Sequence, residues 1–333
     1  MSITFDVFRG SPEGRVIADT VTKTLEHNEV FIETMASGIC GTDEHFLKSN
    51  QVLGHEGVGF VRAVGPGVTS VKIGDRVGFG FTHSICSTCD NCVTDWDQCC
   101  RNVKQYGMND FDNGSFSYGA VWDANCVFRI PDGLDFVHAA PLMCAAATVW
   151  TTLTRYGMRA ADRVGIMGVG GLGHVAIKLA AALGYYVIVL STSEMKRQEA
   201  MEFGASEYHV FRSGGAPPEG FRPIKHLLLC ASGDVDYSSL LTLMDTPSTI
   251  YPLTATFELS KIPTLELCFK GIRIQGSLVA SRNSIRTLLD FATKKNIAPT
   301  VRTFPLTIAG IEEAMNILRE GKMRYRGVLV RNE

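Results

Sequence analysis

The sequence of 333 residues has no large excess of charge of either sign and no long apolar run. Lysine and arginine number 32 against 34 acidic residues, and this net charge of −2 leaves no electrostatic footprint for nucleic acid. No stretch reaches the roughly 18 consecutive apolar residues of a membrane-spanning helix, and Met1–Arg9 contains no apolar segment of signal length. Low-complexity tracts and internal repeats are also missing. These absences predict a cytoplasmic globular protein that binds neither nucleic acid nor a membrane.

Ten cysteines are present, and four of them follow one another at short intervals. The pattern C-x2-C-x2-C-x7-C is formed by Cys86, Cys89, Cys92 and Cys100. Four thiolates on one short segment match the tetrahedral ligand set of a structural zinc ion, which would stabilise a segment with little apolar core of its own. The alternatives are a disulfide pair or four unrelated buried thiols, and the lack of a secretion signal disfavours the disulfide. We call residues 86–100 the cysteine lobe.

The pattern of predicted strands and helices changes near residue 145. Before it, short apolar runs such as Val30–Thr34 and Val58–Val64 are bounded by turn residues, as is typical of a β-rich, barrel-like domain. After it, strands and helices alternate, beginning with Arg163–Met167, Leu172–Leu183 and Tyr186–Leu190. This alternation predicts an α/β protein whose second domain contains a doubly wound parallel sheet.

The last part of the chain is expected to return to the first domain. Helices are predicted over Ser284–Lys295 and Ile308–Gly321, and a closing strand near Gly327–Val330. We therefore predict a catalytic domain over residues 1–144, a second domain over 145–281, and a C-terminal return to the catalytic domain over 282–333.

A glycine-rich turn connects the first predicted strand of the second domain to its helix. The segment from 168 to 173 reads G-V-G-G-L-G. In this context Gly170 allows close backbone approach and the helix N-terminus attracts a pyrophosphate, which favours a Rossmann dinucleotide site over a simple tight turn. The predicted cofactor contacts here are Gly168, Gly170, Gly171, Leu172 and Gly173.

The end of the second strand of this domain distinguishes NAD from NADP. An acidic residue about 20 positions past the first glycine would bind the ribose of NAD, whereas this chain has three hydroxyl side chains followed by two cations. The sequence therefore favours NADP(H). Ser193 could instead be only the N-cap of a helix predicted over Glu194–Phe203, and Glu194 itself argues against a bound phosphate. The predicted contacts with the 2′-phosphate are Ser191, Thr192, Ser193 and Lys196, with Arg197 beside them.

Two cysteines and one histidine in separate motifs form a candidate catalytic metal site. Cys40 lies in the run G-I-C-G-T-D-E-H, His55 in G-H-E-G-V-G, and Cys144 in P-L-M-C. Three protein ligands with a fourth position open for substrate are the pattern of a catalytic zinc ion. Asp43 is predicted to accept the ring N–H of His55. Each thiol considered alone could also be an ordinary buried cysteine.

With these motifs in place, the whole chain resembles the zinc-dependent medium-chain alcohol dehydrogenases, and within them the cinnamyl alcohol dehydrogenase-like branch. The run G-H-E-x2-G-x5-G-x2-V spans Gly54 to Val68 without a mismatch, and the four cysteines match the structural zinc site of the family. The S-T-S run that begins at Ser191, with Lys196, and G-K-M-R-Y-R-G from Gly321 resemble that branch. The resemblance implies a GroES-like catalytic domain next to the Rossmann domain, two zinc ions per chain, NADP(H) and a homodimer.

The resemblance also implies roles for single residues around the catalytic zinc. Cys40, His55 and Cys144 would bind the ion, and Glu56 would be an alternate fourth ligand when substrate is absent. Thr42 would be the hydroxyl that touches the zinc-bound oxygen, and His45 would be the outer member of a proton relay through the cofactor ribose.

For His45, a solvated loop histidine is the alternative. Cofactor contacts are also implied for Thr148, for the backbone near Ser277 and Leu278, and for Arg326 against the pyrophosphate.

Two segments depart from the family pattern. Only 14 residues separate Cys40 from His55, so the loop over residues 44–53 is short and the substrate is left open. Residues 213–223 replace a segment that is a helix in the family.

Cys99 is an alternative to Cys100 as the fourth cysteine of the lobe.

The leading functional hypothesis is an NADPH-linked alcohol dehydrogenase that works mostly as an aldehyde reductase on small-molecule substrates. A conjugate C=C reductase acting on enals or iminium ions would not need the complete zinc ligand set, and a polyol dehydrogenase is disfavoured by the NADP signature. A catalytically silent, zinc-stabilised binding protein is the alternative from another class. Such a protein would have no need for the residues of both the metal site and the proton relay.

Overall fold

The computed structural model describes residues 1–231, 233 and 235–332, which form two compact units. The first unit contains residues 1–147 and 279–333, and the second contains residues 148–278. The boundaries that the sequence suggests, 144/145 and 281/282, lie three residues from each of these divisions.

The elements are numbered in chain order. The strands are β1 (Ser2–Gly10), β2 (Val16–Thr24), β3 (Glu29–Ile39), β4 (Gly57–Val64), β5 (Arg76–Phe79), β6 (Thr82–Ser84), β7 (Lys104–Gln105), β8 (Gly119–Asp123), β9 (Val127–Arg129), β10 (Arg163–Met167), β11 (Tyr186–Ser191), β12 (Glu207–Val210), β13 (Ile224–Leu229), β14 (Met244–Pro252), β15 (Ile272–Ile274), β16 (Val301–Pro305) and β17 (Arg326–Val330). The helices are α1 (Gly41–His45), α2 (Asp90–Val93), α3 (Phe136–Ala139), α4 (Ala145–Arg155), α5 (Gly173–Ala182), α6 (Arg197–Glu202), α7 (Tyr237–Leu241), α8 (Thr264–Lys270), α9 (Arg282–Lys294) and α10 (Ile308–Arg319). Short 3₁₀ turns lie at Asp97–Cys99, Ala124–Cys126 and Ala140–Met143.

The first unit is built on a seven-stranded sheet in the order β16-β17-β3-β4-β5-β9, with β8 also paired to β3. Along β3, apolar side chains such as Val30 and Ile32 are fully buried and alternate with partly exposed neighbours, because successive residues of a strand face opposite sides of the sheet. They pack with Val77, Phe79 and Trp122 in one core cluster. The β-rich first domain that the sequence predicts is confirmed.

The strand pairing places two predicted ligand motifs side by side. Strands β3 and β4 are antiparallel neighbours, with Ser37 opposite Gly57. Because β3 ends at Ile39 and β4 begins at Gly57, the residues that follow β3 and those that precede β4 lie at the same edge of the sheet.

The second unit contains a six-stranded, all-parallel sheet in the order β12-β11-β10-β13-β14-β15. Counted from its first strand, this is the order 3-2-1-4-5-6 of the dinucleotide-binding fold, in which ligands bind beyond the carboxyl ends of the strands. The predicted doubly wound sheet is confirmed. Residues 213–223 form turns and irregular structure between β12 and β13.

Two helix starts differ from the sequence-based positions, each for a local reason. Helix α9 begins at Arg282, two residues before the predicted Ser284, because the Ser281 hydroxyl accepts the Ser284 N–H at 3.1 Å and caps the helix. Helix α6 begins at Arg197 rather than Glu194, with Lys196 at its N-cap position. Ser193 therefore does not cap this helix.

The cysteine lobe is fastened to the C-terminal part of the first unit by an ion pair. Asp97, which is 4% exposed, accepts the backbone N–H of Arg282 at 3.0 Å and its Nε–H at 2.5 Å. Because the carboxylate meets the first residue of α9, it also complements the positive end of that helix. The lobe and α9 are thus held together by a charged contact.

A buried arginine holds the short loop that precedes His55. Arg9 is 8% exposed and donates to the Asn50 carbonyl at 3.0 Å and to the Asp19 and Asp112 carboxylates at 2.9 and 2.8 Å. The Val52 N–H donates to the Phe111 carbonyl at 2.9 Å. The truncated loop is therefore tied to β1, β2 and the segment before β8.

Among the described residues, no single helix has the length and apolar character to cross a membrane. Phe136–Met143 and Ala145–Arg155 have that length and composition only when taken together, and a bend of 58° separates them.

Candidate active site and metal centres

The four cysteines of the lobe converge with a spacing that suits a tetrahedral metal ion. Their Sγ atoms lie within 4.8 Å of one another. Distances are 3.5 Å between Cys86 and Cys100, 3.6 Å between Cys89 and Cys92, 3.9 Å between Cys89 and Cys100, and 4.0 Å between Cys86 and Cys92. A disulfide needs about 2.05 Å, whereas Zn–S bonds of about 2.3 Å in a tetrahedron place sulfurs about 3.8 Å apart. The geometry fits zinc. Cys99 is exposed and lies outside this cluster.

The backbone of the lobe is arranged to stabilise negatively charged sulfur. The Cys86 sulfur accepts the Cys89 N–H at 3.4 Å, and the Cys100 sulfur accepts N–H groups of Cys86 and Asn102 at 3.3 and 3.4 Å. Backbone donors at Thr88 and Cys89 lower the pKa of Cys86 to about 6, while burial raises the pKa of Cys92 to about 12. Backbone N–H groups of the lobe therefore stabilise part of the negative charge of the thiolates, and a bound cation would neutralise the rest.

A second cluster joins four residues from three separate segments of the first unit. One ligand atom from each of Cys40, His55, Glu56 and Cys144 lies within 4.8 Å of the others. Cys40 follows β3, and His55 and Glu56 precede β4, so their proximity results from the pairing of these strands. Cys144 follows a 3₁₀ turn that begins with a buried Ala-Pro pair.

The ring of His55 is oriented for metal binding. It is fully buried, and its Nδ1 lies 2.9 Å from Asp43 Oδ1. A carboxylate only accepts hydrogen bonds, so Nδ1 carries the proton and Nε2 presents a lone pair. Nε2 is buried without a hydrogen-bond partner among the described residues. A buried imidazole nitrogen of this kind, with two thiols nearby, fits a zinc ion.

The two thiols of this cluster differ in their affinity for a proton. A hydrogen bond from Cys144 holds the pKa of Cys40 well below its usual value. The same bond, together with burial, raises the pKa of Cys144 well above its usual value. The two sulfurs share one proton, and a bound divalent cation would displace it.

Glu56 is buried against an arginine. Both of its carboxylate oxygens accept from Arg326 Nη2, at 2.5 and 2.6 Å, and both side chains are almost fully buried. Burial raises the pKa of Glu56 to about 7 against the lowering effect of the guanidinium. Gly38 makes this position possible, because a Cβ there would lie 1.9 Å from Glu56 Oε2.

Arg326 lies against Glu56 in the structure. Its side chain is 5% exposed and bonded to that carboxylate, and the contact with the cofactor pyrophosphate stays a prediction. The position beside Glu56 results from the pairing of β17 with β3, which sets Gly327 opposite Ile39 and carries Arg326 to the edge where Glu56 lies.

The two residues assigned to the proton relay lie on α1. The Thr42 hydroxyl is 3.7 Å from the Cys40 sulfur, so it lies next to the metal cluster. His45 is exposed at the end of the same helix. The order along α1 thus runs from the buried cluster to the solvent.

In the second unit, the glycine-rich turn has the geometry of a phosphate-binding loop. Gly168 has φ +94°, where L-residues are strained, and a Cβ at Gly173 would lie 1.8 Å from the Gly168 carbonyl oxygen. A Cβ at Gly170 would meet nothing within 4 Å. The first and last glycines thus serve the turn and the helix contact, while Gly170, with Gly171 and Leu172 following it, faces open space that a ligand can occupy.

The segment after β11 lies next to that turn, because β10 and β11 are parallel neighbours with Met167 opposite Leu190. Lys196 donates from Nζ to the Val169 carbonyl at 2.6 Å. The Glu194 carboxylate is held by Arg197, with an Nη2–Oε1 distance of 2.8 Å. Ser191 and Ser193 are half-buried and Thr192 is exposed.

Three further predicted cofactor residues lie elsewhere in the second unit. Thr148 is on α4 and is 8% exposed. Ser277 and Leu278 follow the edge strand β15, and Leu278 is 40% exposed. The cofactor roles of these three residues stay predictions.

Some residues of the site escape sequence reasoning. Tyr106, six positions beyond Cys100, donates from its hydroxyl to Asp43 Oδ1 at 2.9 Å, and no motif marks it. The Arg326–Glu56 pair is equally invisible, because 270 positions separate its members.

Two parts of the chain match known protein families. Residues 26–132 match the alcohol dehydrogenase GroES-like domain, and residues 171–294 match the zinc-binding dehydrogenase domain. A probable cinnamyl alcohol dehydrogenase 8B of Oryza sativa subsp. japonica is 35% identical over 322 residues, covering 92% of this chain and 73% of the relative. Cinnamyl alcohol dehydrogenase 8 of Arabidopsis thaliana is 31% identical, covering 90% of this chain and 87% of the relative.

Solved structures give the same result. A cinnamyl alcohol dehydrogenase from Sorghum bicolor superposes with a TM-score of 0.89 at 27% identity, covering 98% of both chains. A cinnamyl alcohol dehydrogenase from Helicobacter pylori, solved with NADP(H), has a TM-score of 0.89 at 25% identity, covering 99% of both chains. The resemblance inferred from the motifs is confirmed. The chain belongs to the zinc-dependent medium-chain alcohol dehydrogenases, in their cinnamyl alcohol dehydrogenase-like branch.

Proposed function

We propose that this alcohol dehydrogenase family member is a zinc-dependent, NADPH-linked aldehyde reductase. The observation that carries the proposal is the second cluster, in which two thiols and one oriented imidazole converge. Three such protein ligands are the number that leaves a fourth position to a substrate in catalytic zinc sites. When bound there, zinc would polarise a carbonyl group, and NADPH would supply the hydride. Cys40, His55 and Cys144 would hold the metal.

The surrounding side chains prepare this site before any substrate arrives. Asp43 fixes the tautomer of His55. Arg326 neutralises Glu56, so this carboxylate adds no net negative charge to the cluster while the two side chains are paired. The Thr42 hydroxyl lies 3.7 Å from the Cys40 sulfur. We propose that it contacts the substrate oxygen and exchanges a proton with solvent by way of His45.

The first prediction concerns metal content. Purified protein should contain two zinc ions per chain by elemental analysis, because one ligand set is closed and the other is open. Cys89→Ser should lose one zinc and lower the melting temperature, since structural zinc binding is coupled to folding. Cys144→Ser should lose turnover while its melting temperature changes little. The exposed Cys268→Ser serves as the matched control and should keep both ions. A single zinc that survives Cys144→Ser would contradict the catalytic site.

The second prediction separates the possible reactions. We expect NADPH oxidation with aromatic and α,β-unsaturated aldehydes, and the product of an enal should be the allylic alcohol. A saturated aldehyde as product would instead identify a conjugate C=C reductase. Polyol oxidation is included in the assay because a mannitol dehydrogenase of Petroselinum crispum is 32% identical over 317 residues. No turnover in any arm would favour a binding protein.

The third prediction concerns the cofactor. Hydroxyl groups at 191–193 and the Lys196 cation, next to a Glu194 already paired with Arg197, support a site for the 2′-phosphate. NADPH should exceed NADH by ten-fold or more in kcat/KM, which corresponds to about 1.4 kcal/mol. Ser191→Asp should reverse the preference, because a carboxylate repels the phosphate and accepts from the ribose hydroxyls.

The control for this experiment is Ser238→Asp, an exposed position on α7, which should keep the preference of the unmodified chain. Equal use of both cofactors by the unmodified chain would refute the assignment of NADP.

The fourth prediction concerns assembly, for which we propose a homodimer. Large apolar side chains are exposed in the chain segment between β14 and the edge strand β15, and those of Phe257, Leu259 and Phe269 are 78%, 102% and 79% exposed. Apolar patches next to an open strand edge mark association surfaces. Light scattering should give twice the 36.3 kDa of one chain. Leu259→Glu should shift the mass towards one chain, while Ile73→Glu, exposed in the first unit, should not. A monomer before any substitution would disprove the dimer.

A further inference from the structure

We infer that Tyr106 is a positioning residue for the candidate catalytic metal site, acting on His55 through Asp43. The inference rests on the proposed function, because it assumes that the cluster of Cys40, His55 and Cys144 binds zinc. Tyr106 follows β7, is 1% exposed, and lies within the first unit.

The hydroxyl of Tyr106 is hydrogen-bonded to the residue that precedes His55 and to the carboxylate that orients its ring. It donates to Asp43 Oδ1 at 2.9 Å and accepts the N–H of Gly54, the residue before His55, at 3.1 Å. Gly54 has φ +87°, and a Cβ there would lie 2.3 Å from the Phe116 ring, so the chain is fixed at this point. Tyr106 thus links the backbone that carries the imidazole to the carboxylate that orients it.

The Asp43 carboxylate is fully buried, and its bonds leave little freedom to rotate. Oδ1 accepts from Tyr106 and from His55 Nδ1, and Oδ2 accepts the Cys40 backbone N–H at 2.9 Å. Two of these three donors belong to candidate metal ligands. The third, the Tyr106 hydroxyl, is therefore what fixes the carboxylate independently of the ligands themselves. Without it, an oxygen that is shared between two donors would keep only one.

The ring of Tyr106 restrains the imidazole in a second way. It stacks on His55 with centroids 4.6 Å apart and an interplanar angle of 29°. Phe46 packs edge-on against the Tyr106 ring, with the ring centroids 5.4 Å apart and an interplanar angle of 85°. Gly107 makes room for this packing, because a Cβ there would lie 2.2 Å from Phe46. The hydroxyl fixes the hydrogen-bond partner of the imidazole, and the ring fixes its plane.

Removal of the hydroxyl alone tests the inference. Tyr106→Phe keeps the ring and its stacking but leaves Asp43 Oδ1 one donor short. Partners of this kind typically change metal affinity by about 10- to 100-fold. We therefore expect one of the two zinc ions to be lost to a chelator at 10- to 100-fold lower competitor concentration, while the cysteine lobe keeps its ion as an internal control.

The matched control is Tyr118→Phe. Tyr118 lies in the same unit, and its hydroxyl donates to the Leu306 backbone carbonyl at 3.2 Å, away from the metal cluster. This variant should release zinc as the unmodified protein does.

Cobalt(II) in place of zinc gives a readout that a merely structural role would not move. Tyr106→Phe should alter the visible absorption of cobalt at the open site, because the imidazole is less firmly oriented, while Tyr118→Phe should not. The loss of metal affinity should also be non-additive with Asp43→Asn, since residues in one hydrogen-bond network are coupled. An unchanged cobalt spectrum with unchanged zinc release, or strict additivity with Asp43→Asn, would overturn the inference.

A variant that does not fold would release both ions, and a second substitution covers that case. Incorporation of 3,5-difluorotyrosine at position 106 keeps the hydroxyl and nearly the same volume but makes it a stronger donor. The cobalt spectrum should shift, and an unaltered spectrum would count against the role of the hydroxyl. If the unmodified protein binds no metal at the second cluster, the proposed function fails. If it binds two zinc ions and Tyr106→Phe behaves like it, only this inference fails.

Discussion

The antiparallel pairing of β3 with β4 is the constraint on which the candidate metal site depends. With Ser37 opposite Gly57, the end of one strand and the start of the next place Cys40 beside His55. The same edge receives Arg326, because β17 pairs with the other side of β3 and sets Gly327 opposite Ile39. A slip of one residue in either pairing would turn these side chains to the opposite face of the sheet. Two of the candidate metal ligands, Cys40 and His55, thus share one structural origin with Asp43 and with the Arg326–Glu56 pair, whereas Cys144 comes from a third segment.

The two candidate zinc sites are built on different principles, and their functions follow from that difference. In the cysteine lobe, four ligands come from 15 consecutive residues and enclose the ion, so the metal takes the place of a core. The second site gathers its ligands from three segments around a preformed, buried framework. A site that the fold holds in place can leave one coordination position to a substrate, whereas a site that organises its own segment needs all four.

The short loop between Cys40 and His55 is held by Arg9. Its guanidinium donates to the Asp19 and Asp112 carboxylates and to the Asn50 carbonyl of the loop. The Asp19 and Asp112 side chains are 46% and 59% exposed, so solvent screens these two ion pairs. Arg9 therefore ties the loop before His55 to β2 and to the segment before β8.

Much of the fold and of the site could be predicted from the sequence because the signals are local. The four cysteines, the glycine turn and the predicted strands, such as Arg163–Met167, depend on spacing within short windows, and the structure contains them where the sequence places them. Local signals fail at helix starts, as at Ser193, because the segment up to Arg197 is held by side-chain pairing with Glu194. They also do not reveal the pairing of Arg326 with Glu56, which is set by strand order. The sequence by itself determined the ligand types and the class of cofactor site. Only the tertiary structure decided which buried groups orient them, Tyr106 on Asp43 and Arg326 on Glu56, because contacts between distant segments depend on sheet pairing that no short window of sequence contains.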